Sequence, residues 1–181
     1  MSEKKGKQKF NARDLRYHKP TKKQLASLPR HPIYIILDNV LDTYNIGAIF
    51  RLADAVAAKE VIICGRSETP PNIKIHRAAI GTEKWISWSY QSTAVIAIKK
   101  LRERVTGINV LAIELNKKSI NYDKIDYHFP LGLVIGNESH GVSAAVRKEV
   151  DGMTEIPMWG FNKSLNVMVS LAIVLWQIME K

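Results

Sequence analysis

The sequence predicts an α/β domain with an open, mostly parallel sheet and helices on both faces. Short, continuously apolar runs alternate along the chain with segments whose apolar residues recur at helical spacing. Runs that are apolar at every position are typical of parallel strands, because helices cover both faces of such a sheet. With 181 residues, of which 46% are hydrophobic, the chain is long enough to bury a core in one domain.

The first unit of the predicted sheet starts with the strand Ile33–Leu37. After a polar loop, helical spacing returns and predicts a helix with Asn45 at its start and Arg51 about two turns further on. Val61–Cys64 is the next buried strand. A strand, a helix and a strand in this order predict a βαβ unit with a right-handed crossover.

The middle of the chain carries weaker signals. No element is predicted for the basic segment Ile73–Gly81, whereas Trp85–Tyr90 alternates as a strand does. Val95–Val105 has the spacing of an amphipathic helix, which Gly107 would terminate. The apolar run Asn109–Ile113 then predicts another buried strand.

Polar residues follow the last two predicted strands. The buried strand Leu131–Ile135 leads directly into Gly136–Glu138, and the strand Met153–Ile156 leads through a loop to Ser164 and Asn166. Ligands bind at the carboxyl ends of strands in open α/β sheets, so these residues are candidates for a site. A turn at Gly136–Glu138 and a helix cap at Ser164 or Asn166 would explain the same residues without a ligand.

The final predicted helix, Leu165–Met179, is apolar nearly all round, with Asn166, Ser170 and Gln177 as exceptions. Such a helix has to be buried on more than one side, and one sheet covers only one stripe of it. It is too short and too polar for a membrane span. The remaining apolar surface therefore predicts a homodimer formed through this helix.

Positive charge is concentrated at the N-terminus. Residues 1–30 contain ten Lys and Arg but only Glu3 and Asp14 as acidic residues, and the formal net charge of the whole chain is +10. So polar a segment predicts a flexible arm ahead of one organised domain at residues 31–181. The arm either aids solubility or binds nucleic-acid phosphates, since each neutralised phosphate releases counterions.

Several other kinds of site are not indicated. The chain has neither Gly-x-Gly-x-x-Gly after its first strand nor a P-loop motif, and its five histidines lack metal-ligand spacing. Cys64 is the single cysteine and lies in an apolar run, which predicts an unreactive core thiol. The N-terminus lacks the apolar segment of a signal peptide, so a cytoplasmic protein is expected. The histidine spacing gives the separate expectation that the protein uses no metal.

Three ordered motifs contain the candidate residues. They are Asn45-Ile-Gly-Ala-Ile-Phe-Arg51-Leu-Ala-Asp-Ala, then Gly136-Asn-Glu-x-x-Gly141, then Glu155-Ile-Pro-Met158 with Ser164-Leu-Asn-Val167 before the last helix. Together they resemble the SpoU (TrmH) family of RNA ribose methyltransferases, a branch of the SPOUT superfamily. Met168 departs from the family pattern, which commonly has a small polar residue there, and is expected to alter packing rather than chemistry.

The resemblance implies a fold and a cofactor. Proteins of this superfamily thread the C-terminal part of the chain through a loop, and the resulting deep trefoil knot is expected within about residues 110–181 here. S-adenosylmethionine binds in the knot, held by three loops. The matching positions are Ile113, Glu114, Leu115, Gly136, Asn137, Glu138, Gly141, Ile156, Pro157, Met158, Ser164, Leu165 and Asn166.

The resemblance also implies methyl transfer to a ribose 2′-hydroxyl of tRNA or rRNA. It assigns catalytic roles to Arg51, Asn45, Glu138, Ser164 and Asn166. The family pattern gives the deprotonating role to Arg51, but a guanidinium is normally protonated. A role in which Arg51 orients an RNA phosphate and the 2′-hydroxyl is therefore at least as well supported as a role as the base. The other four residues would orient groups around Arg51 and the ribose.

Two other functions stay open. A non-catalytic RNA-binding or ribosome-assembly factor could keep the fold, although it would not need all five residues. The second is a methyltransferase that acts on an RNA base, although the Asn and Arg of the first motif favour ribose as the methyl acceptor. The basic segment with Lys74, His76 and Arg77 is either a solvated face or an RNA contact.

Overall fold

The structure, a computed structural model, describes residues 19–180. Residues 1–18, most of the predicted basic arm, lie outside this range. The strands are β1 (His31–Asp38), β2 (Ala58–Cys64), β3 (Trp88–Gln91), β4 (Asn109–Ile113), β5 (Ile120–Asn121), β6 (Leu131–Ile135) and β7 (Gly152–Glu155). The helices are α1 (Lys22–Ala26), α2 (Thr43–Ala55), α3 (Ile73–Ala79), α4 (Ala94–Arg104), α5 (Ala144–Glu149) and α6 (Val167–Glu180), with a 3-10 turn at Thr82–Lys84.

The strands of the described residues form one seven-stranded sheet in the order β3-β2-β1-β6-β4-β7-β5. Every neighbouring pair is parallel, which confirms the predicted parallel sheet. β6 lies between β1 and β4, with Ile33 opposite Leu131 and Leu37 opposite Ile135. The loops that follow β1, β6 and β4 therefore leave the same edge of the sheet side by side.

Both faces of the sheet are covered, as the apolar runs predict. Ile33, Ile35 and Leu37 of β1 pack with α2, α3 and α6, whereas Tyr34 and Ile36 pack with α4 and α5 on the opposite face. This alternation is the two-residue period of a strand. Each fully buried Ile or Leu contributes about 1.5–3 kcal/mol relative to an exposed one, so the central strands hold the two layers together.

The strand predicted at Trp85–Tyr90 begins only at Trp88. Trp85 instead ends the 3-10 turn, and its indole N–H donates to Asp54 Oδ1 at 2.8 Å. A tertiary hydrogen bond to α2 thus overrides the alternation of the sequence. The short strand β5, which pairs with β7, is likewise absent from the sequence prediction.

The basic segment after residue 72 forms the helix α3, which its sequence does not predict. Asn72 caps this helix by accepting hydrogen bonds from the N–H groups of Lys74 and Ile75. Ile75 and Ala79 are buried in the core. The sequence predicts the final helix at Leu165–Met179, but it begins two residues later, at Val167.

Cys64 is fully buried, which confirms the predicted core thiol. Burial, together with the nearby negative charge of Asp38, raises the pKa of the Cys64 thiol to about 12. The thiolate is therefore scarce near neutral pH, and the residue is inert. Across residues 19–180, no helix combines the length and the apolar character that crossing a bilayer requires.

Candidate functional site

A cavity of about 400 Å³ lies where loops follow β4, β6 and β7, and we call it the motif cavity. Its lining residues are Ile113, Glu114, Leu115, Ile135, Gly136, Asn137, Glu138, Ser139, His140, Gly141, Ile156, Met158, Lys163, Ser164, Leu165, Asn166, Val167 and Ser170. Every residue predicted to contact a cofactor is among them except Pro157, which lies between two lining residues. The structure therefore brings the three predicted loops to one place.

The loop after β6 is a tight backbone turn. Asn137 and Gly141 exchange two backbone hydrogen bonds of 3.0 and 2.8 Å, and Asn137 Oδ1 accepts from the N–H groups of Ser139 and His140. A Cβ atom on Gly136 would lie 2.1 Å from the carbonyl carbon of Gly141. Only glycine allows this close backbone approach, so Gly136 fixes the shape of the cavity wall.

Side chains connect this loop to its neighbours. Glu114, after β4, accepts a hydrogen bond from the N–H of Val142 at 2.6 Å. Asn137 Nδ2 donates to the backbone oxygen of Asn39, after β1, at 2.9 Å. These hydrogen bonds fix the relative positions of three loops that are distant in sequence, and so they hold the walls of the cavity in place.

Glu138 connects the second motif to the first. Its carboxylate accepts from the backbone N–H groups of Leu41 (3.1 Å) and Asp42 (3.0 Å) and from Asn45 Nδ2 (3.0 Å). Burial alone would raise the pKa of Glu138, but these hydrogen bonds outweigh it and hold the pKa below its ordinary value. Glu138 is thus an ionised anchor for the start of α2 rather than a proton acceptor.

Asn166 connects the third motif to the same network. Its Nδ2 donates to Oδ1 of the buried Asn45 at 3.0 Å, while its Oδ1 accepts from the N–H of Met168 at 2.9 Å. The helix cap considered from the sequence is therefore present. It coexists with a tertiary contact, so Asn166, Asn45 and Glu138 form one continuous chain of hydrogen bonds across the three motifs.

Arg51 does not take part in this hydrogen-bond network. It is exposed on α2, and its side chain forms no hydrogen bond or ion pair with any residue in the described range 19–180. Six residues along a helix correspond to about 9 Å of rise and about 120° of rotation, so Arg51 and Asn45 leave α2 in different directions. Ser164, by contrast, lines the motif cavity.

The structure adds polar residues that the sequence does not single out. Lys163 brings a positive charge to the motif cavity, and His140 Nδ1 lies 3.0 Å from Asn137 Oδ1. Ser170 also lines the cavity, and its hydroxyl donates to the backbone oxygen of Asn166 at 3.2 Å. Its position on α6 four residues after Asn166, the residue that caps this helix, was the available signal.

The motif cavity suits a ligand that has both a flat apolar part and polar ends. Leu115, Met158 and Leu165 provide apolar surface, while Lys163 and Ser164 provide donors. Among residues 19–180, no group of three or more His, Cys, Asp or Glu side chains is placed to hold a metal ion.

A sequence model of the SpoU rRNA Methylase family matches residues 32–176, which include all the motif residues above. The chain belongs to this family. Among the relatives of this chain is the tRNA (guanosine(18)-2′-O)-methyltransferase of Aquifex aeolicus, 32% identical over 146 residues, or 80% of this chain and 67% of the relative. The 23S rRNA (guanosine-2′-O-)-methyltransferase of Ralstonia nicotianae is 29% identical over 146 residues, 81% of this chain and 57% of the relative.

Solved structures show the same relationship. The AdoMet-bound rRNA methyltransferase from Sinorhizobium meliloti has a TM-score of 0.75 to this chain at 30% sequence identity, covering 86% of this chain and 59% of that chain. The chain thus spans only part of the length of these relatives.

Proposed function

We propose that this protein transfers a methyl group from S-adenosylmethionine to a ribose 2′-hydroxyl of tRNA or rRNA. The observation that carries the proposal is the chain of hydrogen bonds from Asn166 through Asn45 to Glu138, beside a cavity formed by the motif loops. The relatives' names support it, since one acts on tRNA and another on 23S rRNA. The Sinorhizobium structure contains AdoMet.

The motif cavity fits this cofactor. Its volume of about 400 Å³ lies within the range of about 300–1,000 Å³ typical of small-molecule sites. Leu115, Met158 and Leu165 would face the adenine ring, and Lys163 and the loop Gly136–Gly141 would meet the polar parts. When bound, the cofactor supplies an electrophilic methyl group on a positively charged sulfur.

The protein residues would position the ribose 2′-hydroxyl and assist the departure of its proton. We assign the placing of an RNA phosphate and the 2′-hydroxyl to Arg51, because a planar guanidinium donates a fork of hydrogen bonds to such groups. Arg51 as the base is the alternative. Ser164 would orient the ribose from the cavity wall, while Asn45, Glu138 and Asn166 would act as positioning residues that hold α2.

The proposed assembly is a homodimer through α6, with the deep trefoil knot in about residues 110–181. Val169, Trp176 and Met179 of α6 are all exposed apolar side chains, which supports burial of this face against a second copy. The insertion of β6 between β1 and β4 is compatible with threading of the later chain. Residues 31–181 would form the catalytic domain, working in the cytoplasm where tRNA and rRNA are modified.

Calorimetry and methylation mapping test the proposal. S-adenosylmethionine should bind in the presence of a chelator, and Asn166→Ala or Gly136→Val should weaken the binding. RNA from cells with and without the protein should differ at a ribose 2′-O-methyl site. Binding without any methylation would favour the non-catalytic RNA-binding function, and a lost base methylation would favour the base-directed enzyme.

A further inference from the structure

Another cavity, of about 480 Å³, lies at the β3 edge of the sheet, and we call it the β3 cavity. It is formed by the loop before α3, by α3 itself and by the residues leading into β3, and it shares no lining residue with the motif cavity. β3 is the edge strand furthest from β7 and β5. The β3 cavity is therefore a separate place on the molecule, with a volume typical of small-molecule sites.

Flat apolar rings form part of its wall. Pro70, Pro71 and the indole of Trp88 line the cavity, and Trp88 is only partly buried. Aromatic side chains that line a basic surface are the usual stacking partners of nucleobases, because every base has a π-face. The walls thus suit a flat heteroaromatic ring.

The polar side of the cavity contains an oriented histidine. His76 Nδ1 lies 2.6 Å from Oε1 of Glu83, whose side chain is only 6% exposed. This contact fixes the ring, and no residue within 19–180 forms a hydrogen bond with its other nitrogen, Nε2. The exposed Lys84 lines the same cavity. A protonated His76 and Lys84 would both donate to a phosphate, as charge-assisted hydrogen bonds do.

One carboxylate oxygen of Glu83 lacks a hydrogen-bond donor. Its second oxygen, Oε2, is buried and has no hydrogen-bond partner among the described residues. A buried carboxylate oxygen without a donor is costly. Glu83 lines the cavity, so a ligand gains affinity if it supplies a donor to this oxygen once the side chain turns toward the cavity. Exocyclic amino groups of guanine, adenine and cytosine are such donors, whereas uracil has no amino group and can donate only through its ring N3–H.

We propose that the β3 cavity binds a further nucleotide of the substrate RNA, away from the nucleotide that is methylated. Its base would stack on Trp88 and the two prolines, its exocyclic amino group would donate to Glu83, and its phosphate would meet Lys84 and His76. The exposed basic residues Lys74 and Arg77 of α3 extend the positive surface next to the cavity. The identification of the ligand as RNA rests on the proposed function.

Mononucleotide binding tests the site without any methyl transfer. With S-adenosylhomocysteine saturating the motif cavity, guanosine 5′-monophosphate should shift the NMR signal of the Trp88 indole N–H saturably, at concentrations on the order of 10 mM or below. Uridine 5′-monophosphate should bind at least about fivefold more weakly, and Glu83→Gln should remove that preference. Absence of a saturable shift would overturn the site, and equal binding of the two nucleotides would overturn the role of Glu83.

Steady-state kinetics test its use by the enzyme. Lys84→Ala should raise the RNA KM about tenfold while kcat and cofactor affinity stay unchanged. The matched control is Lys99→Ala, which removes one exposed positive charge from α4 on the opposite face of the sheet. An unchanged KM for Lys84→Ala, or an equal rise in both variants, would overturn the inference. Nucleotide binding without methylation of any RNA would instead count against the proposed function and leave the site standing.

Discussion

At the scale of single residues, Glu138 shows how one side chain serves both stability and placement. It lies next to the first turn of α2, where a negative charge also interacts favourably with the helix dipole. Because its pKa is lowered in the folded state, its contribution to stability depends on pH. The contribution is present above the unfolded-state pKa and is lost as the pH falls through the lower, folded-state pKa.

Glu138→Gln should therefore destabilise the protein in a pH-dependent way. Near neutral pH, we expect the free energy of unfolding to fall by about 1 kcal/mol, a modest value because the side chain is partly exposed. Below the ordinary value of 4.5, wild type and variant should converge as the wild-type carboxylate is protonated. Urea unfolding over this pH range measures the difference. A difference that does not shrink with acid would contradict the assigned role.

Arg51→Ala should reduce methyl transfer by about a hundredfold or more, because positioning and proton transfer have effects of this size. Cofactor affinity and thermal stability should persist, since Arg51 is exposed and has no polar partner in the described part of the chain. Single-turnover transfer to the mapped RNA at saturating cofactor measures the rate. Near wild-type turnover by Arg51→Ala would exclude the catalytic assignment.

Arg51→Lys distinguishes the two possible roles of this residue. Lysine keeps the positive charge but lacks the planar fork that holds a phosphate and a hydroxyl together. If orientation dominates, the lysine variant should be nearly as slow as the alanine variant. Substantial recovery by lysine would instead indicate that charge, or a proton acceptor with a lower pKa, is sufficient.

At the scale of elements, the packing of α2 on α3 sets where Asn45 and Arg51 stand. Gly47 of α2 lies so close to α3 that a Cβ atom there would be 2.5 Å from the backbone oxygen of Ile75 and 2.6 Å from Ala78 Cβ. Backbone oxygen atoms in a helix cannot move aside cheaply. The two helices therefore meet at a contact that only glycine permits.

Gly47→Ala tests this packing, because it has two opposing effects on stability. Helix propensity alone would stabilise the variant by up to about 1 kcal/mol, whereas overpacking costs about 1–3 kcal/mol. We expect the clash to dominate and the Tm to fall by a few degrees. Thermal unfolding followed by circular dichroism measures this. Gly160→Ala is the control, because nothing lies within 4 Å of a Cβ there; equal Tm values for the two variants would contradict the packing argument.

At the scale of the whole molecule, α6 leaves an apolar stripe uncovered. Val169, Trp176 and Met179 are 38%, 45% and 37% exposed, although the other side of the helix is buried against the sheet. Residues seven and three apart share one face of a helix. An exposed apolar stripe of this kind is typical of an interface, which supports the proposed homodimer.

Trp176→Glu should convert the proposed dimer to a monomer, because a charge at the centre of an apolar interface is left without a partner. Sedimentation velocity measures the oligomeric state, and circular dichroism checks that the variant is folded. Ile96→Glu is the matched control, since Ile96 is 38% exposed on α4, on the other face of the sheet. A monomeric wild-type protein, or a dimer that survives Trp176→Glu, would exclude α6 as the interface.

The sequence by itself determined the strands of the central sheet and the candidate residues of the site. The runs Ile33–Leu37 and Leu131–Ile135 are apolar at every position, so their burial between two layers follows from local composition. The positions of Asn45, Glu138 and Asn166 next to predicted element ends follow from the same patterns. These signals are local, and the structure confirms the elements they predict.

Only the tertiary structure decided which of these residues meet. Asn45 and Glu138 are 93 positions apart, and they touch because β6 pairs beside β1, a choice made by the packing of all strands together. The same holds for α3, which is too short to be stable alone and is held in place because Ile75 and Ala79 are buried in the core and its backbone lies against Gly47 of α2. Burial and pairing between distant segments have no local sequence period, so sequence patterns place residues on elements while the free energy of packing brings the elements together.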